Sequence, residues 1–224
     1  MKLALLLPGY LDSPDYFHLI TFEKRLKELG YTVERLDACN LWQTGDVNNY
    51  SITNFFKQIK DRIDFYKNQS PDEILLLGHS NGGFTAIVAG SKFPEVTKII
   101  ALCPPPDKTG SEIKWKNGLR ISKRDLPNNP NEFREFAIPV SYLKDAIQYS
   151  AVDEVKNINK PLMIFIGLDD KVVPPSETEE IVNAANSPYV VRLEGVGHDF
   201  RQSEEQTNRV ADEIVKFLKL ENNP

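Results

Sequence analysis

The chain alternates between two hydrophobic periods. The run "LALLLPG" is continuously apolar over strand length. The next segment, "SPDYFHLITFEKRLKELG", puts Leu19, Phe22, Leu26 and Leu29 at helical spacing, and Gly30 ends it. "YTVERLD" predicts a second strand. "SITNFFKQIKDRIDFYKN" lines up Ile52, Phe55, Phe56, Ile59, Ile63 and Tyr66 on one helical stripe. "EILLLGH", "TKIIALC", "PLMIFIG" and "YVVRLEG" predict four more strands, separated by helical segments. Two helix starts read as capping boxes, Ser176 with Glu179 and Ser203 with Gln206. Apolar runs without alternation suit strands covered on both faces. The pattern therefore predicts a doubly wound α/β domain with a mainly parallel sheet and helices on both faces. In such sheets, sites gather at the carboxyl ends of the strands.

One stretch breaks the rhythm. About 57 residues, Pro104 to Lys160, separate the fourth and fifth strands, far more than a crossover needs. Within it, Asn117-Gly118 signals a hairpin. A three-residue loop, Lys116 to Gly118, would put Ile113, Trp115, Leu119 and Ile121 on one apolar face, opposite Lys114 and Arg120. The following "NEFREFAIPVSYLKDAIQYSAVDEV" reads as helical or irregular. The expected organisation is a single domain over residues 1–224, with residues 104–160 as a cap insertion. Trp115, Phe136 and Tyr142 are its candidate pocket residues, because pockets are lined with aromatic side chains.

Composition narrows the classes. A formal net charge of −5 argues against a nucleic-acid binder. No apolar run approaches the roughly 20 residues of a membrane span. The apolar stretch Leu3 to Leu7 is shorter than the ~7 residues of a signal-peptide core, so it reads as a buried strand. Cys39 and Cys103 have no metal-type spacing and read as free thiols of a cytoplasmic protein. Three histidines, His18, His79 and His198, are too few and scattered to suggest a metal site. No metal and no cofactor are expected.

The candidate chemistry centres on Gly78-His79-Ser80-Asn81-Gly82, a GxSxG pattern. Such a pattern arises by chance in about 8% of chains of this length. Here it follows a buried strand and opens a helix, the context of a nucleophile elbow. A serine hydroxyl needs a base. His198, in "GVGHDF", lies at the carboxyl end of the last strand, on the same edge as Ser80. An acid is needed to hold the imidazole tautomer, and "IGLDDKVVPP" offers Asp169 and Asp170 after the fifth strand. The other titratable residues read as structural. His79 packs in the elbow, His18 is expected at the surface, Asp199 organises its loop or is solvated, and Cys103 packs.

With its motifs "LLPGY", "GHSNGG", "GLDDKVVP" and "GVGHDF", the chain resembles an α/β-hydrolase of the serine-esterase type. The resemblance covers nearly everything outside the cap. It implies the α/β-hydrolase fold trimmed from eight strands to about six, without the first hairpin. It also implies that Asp170, where "DKVVP" starts, is the acid in preference to Asp169. The oxyanion hole it implies uses the backbone N–H groups of Tyr10 and Asn81. The expected activity is hydrolysis of a small-molecule carboxylic ester through an acyl-enzyme. A peptidase or amidase, or an acyltransferase, would use the same triad, and a non-catalytic binding protein of the same fold is the rival from another class. Residues 107–125 carry six basic and three acidic side chains. That excess reads as a solvated face or, more sharply, as a rim that attracts anionic substrates.

Overall fold

The computed structural model describes residues 1–107 and 115–221. Six strands form one sheet: β1 (Lys2–Leu7), β2 (Tyr31–Arg35), β3 (Glu73–His79), β4 (Lys98–Leu102), β7 (Leu162–Gly167) and β8 (Tyr189–Leu193). Their order is β2-β1-β3-β4-β7-β8, and every neighbouring pair is parallel. β5 (Leu119–Leu126) and β6 (Asn129–Pro139) form a separate antiparallel pair.

Alternation within the apolar runs explains why they have no polar face. Leu3, Leu5, Leu7, Ile74, Leu76, Ile99, Ile164 and Ile166 point into one core. Their immediate neighbours Ala4, Leu6, Leu75, Leu77, Ile100, Met163 and Phe165 point into the other. The first core is closed by α3 (Ile52–Lys67), α4 (Asn81–Lys92), α6 (Ala151–Val155) and α7 (Pro175–Ala184). The second is closed by α1 (Phe17–Glu28) and α8 (Glu204–Glu221). The short helices α2 (Leu41–Thr44) and α5 (Val140–Ala146) complete the chain. Among the described residues, no helix is long and apolar enough to cross a membrane.

Helix starts follow local chemistry. Ser51 Oγ accepts the Asn54 amide at 3.1 Å and caps α3. Ser203 Oγ accepts the Gln206 amide at 3.2 Å, half of the expected box. The Ser176–Glu179 box does not form. Pro175 occupies the first turn of α7 behind Pro174, where its fixed φ already suits a helix, so Ser176 is inside. Glu179 instead pairs with Arg192 at 2.7 Å.

The cap hairpin departs from the sequence reading in three ways. Lys116 and Leu119 exchange both backbone hydrogen bonds at 3.0 Å, with Asn117 and Gly118 at φ 52° and 76°. The loop therefore has two residues, not three, and uses the left-handed turn that Asn-Gly favours. "NPNEFREFAIP" is strand β6, not helix. The faces are also inverted. Leu119, Ile121 and Phe133 are 44%, 59% and 59% exposed, while Phe136 and Ile138 are buried. The cross-strand pairs Arg120–Ile138, Ser122–Phe136 and Arg124–Arg134 point inward. The arginines turn in because rings and carbonyls await them there: Arg134 lies 5.4 Å over the Trp42 ring and donates to its carbonyl at 2.6 Å. Ile113 and Lys114 lie outside the described residues.

This inversion sets an expectation for stability. Phe136→Ala will cost about 3–5 kcal/mol, and Ile121→Ala less than about 0.5 kcal/mol. Urea unfolding of the two variants checks it, and equal losses would contradict the observed faces.

Candidate active site

β3 ends at His79 and α4 begins at Asn81, leaving Ser80 alone in the turn. Ser80 adopts φ 53°, ψ −118°, a conformation that costs a non-glycine residue of order 1–3 kcal/mol. The neighbouring glycines make the turn possible. A Cβ on Gly78 would collide with the carbonyl of Gly82, and one on Gly82 with the carbonyl of Leu7. The Ser80 amide donates to the Leu102 carbonyl at 2.7 Å, which ties the turn to β4.

Three strand ends converge here. Ser80 Oγ lies 2.9 Å from His198 Nε2. His198 Nδ1 lies 2.7 Å from Asp170 Oδ2. The other carboxylate oxygen of Asp170 accepts the amides of Val172 and Val173, both at 2.8 Å. Asp170 and His198 are buried, whereas Asp169 is exposed. Asp199 is exposed and 3.8 Å from Arg201.

The loop after β1 lies beside Ser80 and is pinned from three sides. Tyr50 accepts the Leu11 amide at 2.9 Å. Trp42 donates to the Leu11 carbonyl at 3.0 Å. Arg124 donates to the Tyr10 carbonyl at 2.9 and 2.6 Å and pairs with Asp12 at 3.2 Å. Asn81 stands in the first turn of α4, where backbone amides have no helical acceptor. The residue after Arg124 reaches the opposite side: Asp125 takes a two-pronged bond from Arg201 at 2.8 and 2.9 Å, three residues beyond His198. Burial pushes the Asp125 carboxyl up, but Arg201 outweighs it and holds the group below its ordinary value. Two adjacent hairpin residues thus hold the loops on both sides of Ser80.

Of the candidate pocket residues, Tyr142 reaches the site, donating to Asn81 Oδ1 at 3.3 Å and stacking on Tyr50 at 5.3 Å. Phe136 packs instead against Trp42, 5.7 Å between ring centres. Trp115 is partly buried against the same core as Phe136. Leu119 and Ile121, expected at the mouth on one face with Trp115, are exposed. A cleft of about 560 Å³ lies outside the hairpin between Tyr16, Asp125, Phe133 and Arg201, and Ser80 does not line it. Arg124, Arg201, Asp12 and Tyr50 escaped the sequence reading because no motif marks them.

His18 corrects a second expectation. It is fully buried, 5.5 Å from His79 and 5.9 Å from Phe200 between ring centres, and His79 in turn lies 4.9 Å from His198. Burial first, then the Arg201 charge, pushes the His18 imidazolium down to about 3. Burial, then the charges of His198, His18 and Arg201, pushes His79 well below its ordinary value. Asp12, His18 and His79 bring one donor atom each within 4.8 Å, as do Cys103, Asp170 and His198. The second group belongs to the Ser80 contact. In the first, His79 and Asp12 stand 4.0 Å apart, wider than the ~3.4 Å between donors around tetrahedral zinc. Arg124 already holds the same carboxylate. The donors do not fit a tightly held metal ion.

A parallel sheet with a serine, a histidine and an aspartate meeting at its carboxyl edge defines an α/β-hydrolase. The chain belongs to the prolyl oligopeptidase family, peptidase family S9, whose profile matches residues 44–222. The rat palmitoyl-protein thioesterase ABHD10, mitochondrial (Rattus norvegicus), is 22% identical over 196 residues, covering 83% of this chain and 64% of that protein. Its counterpart from Mus musculus is 24% identical over 200 residues with the same coverages. The chain thus spans 64% of the length of these curated relatives. The solved structure of Est1E from Butyrivibrio proteoclasticus with ferulic acid bound shares the fold at a TM-score of 0.77, with 19% identity, over 97% of this chain and 88% of that one. Mouse α/β-hydrolase domain-containing protein 10 shares it at 0.71, with 19% identity, over 97% and 89%.

The histidine pair predicts acid sensitivity. The folded state keeps His18 and His79 neutral, while the unfolded chain protonates them near pH 6.5. Below about 6.5 the unfolded state binds more protons, so stability falls with pH, by about 1.4 kcal/mol per unit for each histidine. Burial raises the Asp12 carboxyl, which works in the opposite sense at lower pH. His18→Phe should therefore recover about 2 kcal/mol of the stability lost between pH 7.5 and 5. Urea midpoints at the two pH values measure this, and an unchanged loss in the variant would refute it.

Proposed function

We propose that the protein is a carboxylesterase-like serine hydrolase that cleaves carboxylic esters through an acyl-enzyme. The observation that carries this reading is the unbroken contact Ser80–His198–Asp170 at 2.9 and 2.7 Å. In the proposed reaction, Ser80 Oγ attacks the carbonyl while His198 Nε2 takes its proton. Asp170 holds the imidazole and stabilises its charged form. The amides of Tyr10 and Asn81 bind the oxyanion, and such donors are each worth about 10²–10³ in rate. The alcohol leaves with the proton from His198, and water repeats the attack to release the acid.

Thioesters fall within the same acyl chemistry, and the thioesterase names of the curated relatives support including them. The family's peptidase name favours a second reading, amide hydrolysis on the same triad. The proposal also takes the chain as one domain with residues 104–160 as its cap, a small molecule as substrate, and a reducing, cytoplasmic setting. Both cysteines are free and buried, in keeping with that setting.

A fluorophosphonate should label Ser80, and Ser80→Ala should lower kcat by about 10⁶. Asp170→Asn should cost about 10⁴ by favouring the wrong imidazole tautomer, and Asp169→Asn far less. The substrates are p-nitrophenyl esters from C2 to C12, acyl thioesters and aminoacyl anilides including proline. Full labelling of Ser80→Ala would sink the assignment, and faster turnover of anilides than of esters would favour the second reading.

A further inference from the structure

Arg120 and Arg124 are four residues apart on β5, so both point to the inner face of the hairpin. Both guanidiniums lie over the Tyr10 ring, at 5.8 and 5.7 Å from its centre. Their surroundings then diverge. Arg124 is committed: it holds the Tyr10 carbonyl and the Asp12 carboxylate. Among the described residues, Arg120 pairs with no carboxylate; its recorded contact is the Tyr10 ring. Half-buried and with no counter-charge among the described residues, it loses hydration that none of them restores. The hairpin has solvated positions for a cation, as Lys123 shows on the outer face beside Glu135 at 2.6 Å.

The placement of this uncommitted charge is informative. The Tyr10 ring touches that of Tyr142 at 5.3 Å, and Tyr142 donates to the Asn81 side chain. Arg120 therefore stands beside Tyr10, and the Tyr10 and Tyr142 rings connect it to Asn81, the other residue whose amide is proposed to bind the oxyanion. Burial pushes both phenols above their ordinary value, and the Arg120 charge pulls each partly back. We propose that Arg120 binds a carboxylate carried by the substrate, so that the preferred esters or thioesters are half-esters of dicarboxylic acids or esters of hydroxy acids. This rests on the ester reading above. A guanidinium matches a carboxylate with two parallel hydrogen bonds. One uncommitted cation balances a monoanion, whereas a phosphate dianion would need a second, and the nearest, Arg124, is already neutralised by Asp12.

The test uses matched substrates. Monomethyl adipate is compared with methyl hexanoate, and 4-acetoxybutanoate with butyl acetate. The wild-type protein is expected to favour at least one acid by tenfold or more in kcat/KM, and Arg120→Gln to abolish the preference. Lys123→Gln removes the same charge from the outer face and should keep it, which separates contact from general attraction. Calorimetry on Ser80→Ala and on Ser80→Ala/Arg120→Gln reads the same preference without turnover. Tighter acid binding that needs Arg120, with no ester cleaved, would leave the anion site standing and remove the ester reading. No preference in either measurement, or one that Arg120→Gln leaves intact, would overturn the proposal.

Discussion

The site depends on how closely α4 can approach the end of β1. Gly82, in the first turn of that helix, lies against the carbonyls of Leu7 and Pro8 with no room for a methyl group. Gly78 meets the same turn from the strand side. This contact fixes the height of Ser80 above the sheet and brings the Asn81 amide towards the loop that carries Tyr10. A side chain at either position would separate the loop and the turn, and would disturb the serine and both proposed oxyanion donors together. The strain at Ser80 is sustained by the two apolar cores that hold β3 and α4 in place on either side of it.

The second constraint comes from the β5–β6 hairpin, the proposed cap. A cap whose contacts were apolar could slide, because dispersion has little direction. This hairpin is fixed by directional bonds to the loops on either side of Ser80: Arg124 donates to the Tyr10 carbonyl, and Asp125 accepts from Arg201. Arg201 also stacks on the Tyr16 ring at 4.2 Å, and the Tyr16 hydroxyl donates to the Asp125 carbonyl at 2.8 Å. On the inner face, Arg124 and Arg134 are therefore structural, each tied to a backbone carbonyl outside the hairpin. Against that background Arg120, half-buried and with no such duty among the described residues, stands out.

Most of the fold could be read from periodicity, because the four central strands are buried on both faces and their apolar runs are unbroken. Ser80, Asp170 and His198 could be marked because each lies in the turn or loop that follows a strand and each has a distinct chemical type. The cap could not be read in the same way. Alternation shows which residues of β5 share a face, but not which face is buried, and burial there is decided by Tyr10, Trp42 and Asp12 from distant parts of the chain. The sequence reading assigned the apolar residues to the inside, which fails where the partners are rings and carbonyls that attract guanidinium. His18 escaped for a related reason. A helix start is usually solvated, and nothing local shows that Phe22, Phe200 and His79 close over this one.

That ring cluster has a consequence for the chemistry proposed. His198 rests on His79, which rests on His18 and Phe200. Burial keeps the two inner imidazoles uncharged, so no fixed cation lies directly beneath His198. The proposed base gains a positive charge during the reaction, and a charged neighbour at 4.9 Å between ring centres would oppose it. Asp170, with one oxygen on His198 and the other on two backbone amides, is oriented to favour that charge. The neutral stack below and the carboxylate beside the ring act in the same direction. Arg124 and Arg201, which hold the loops on either side of Ser80, are each paired with an aspartate, which limits how far their charge opposes the imidazolium.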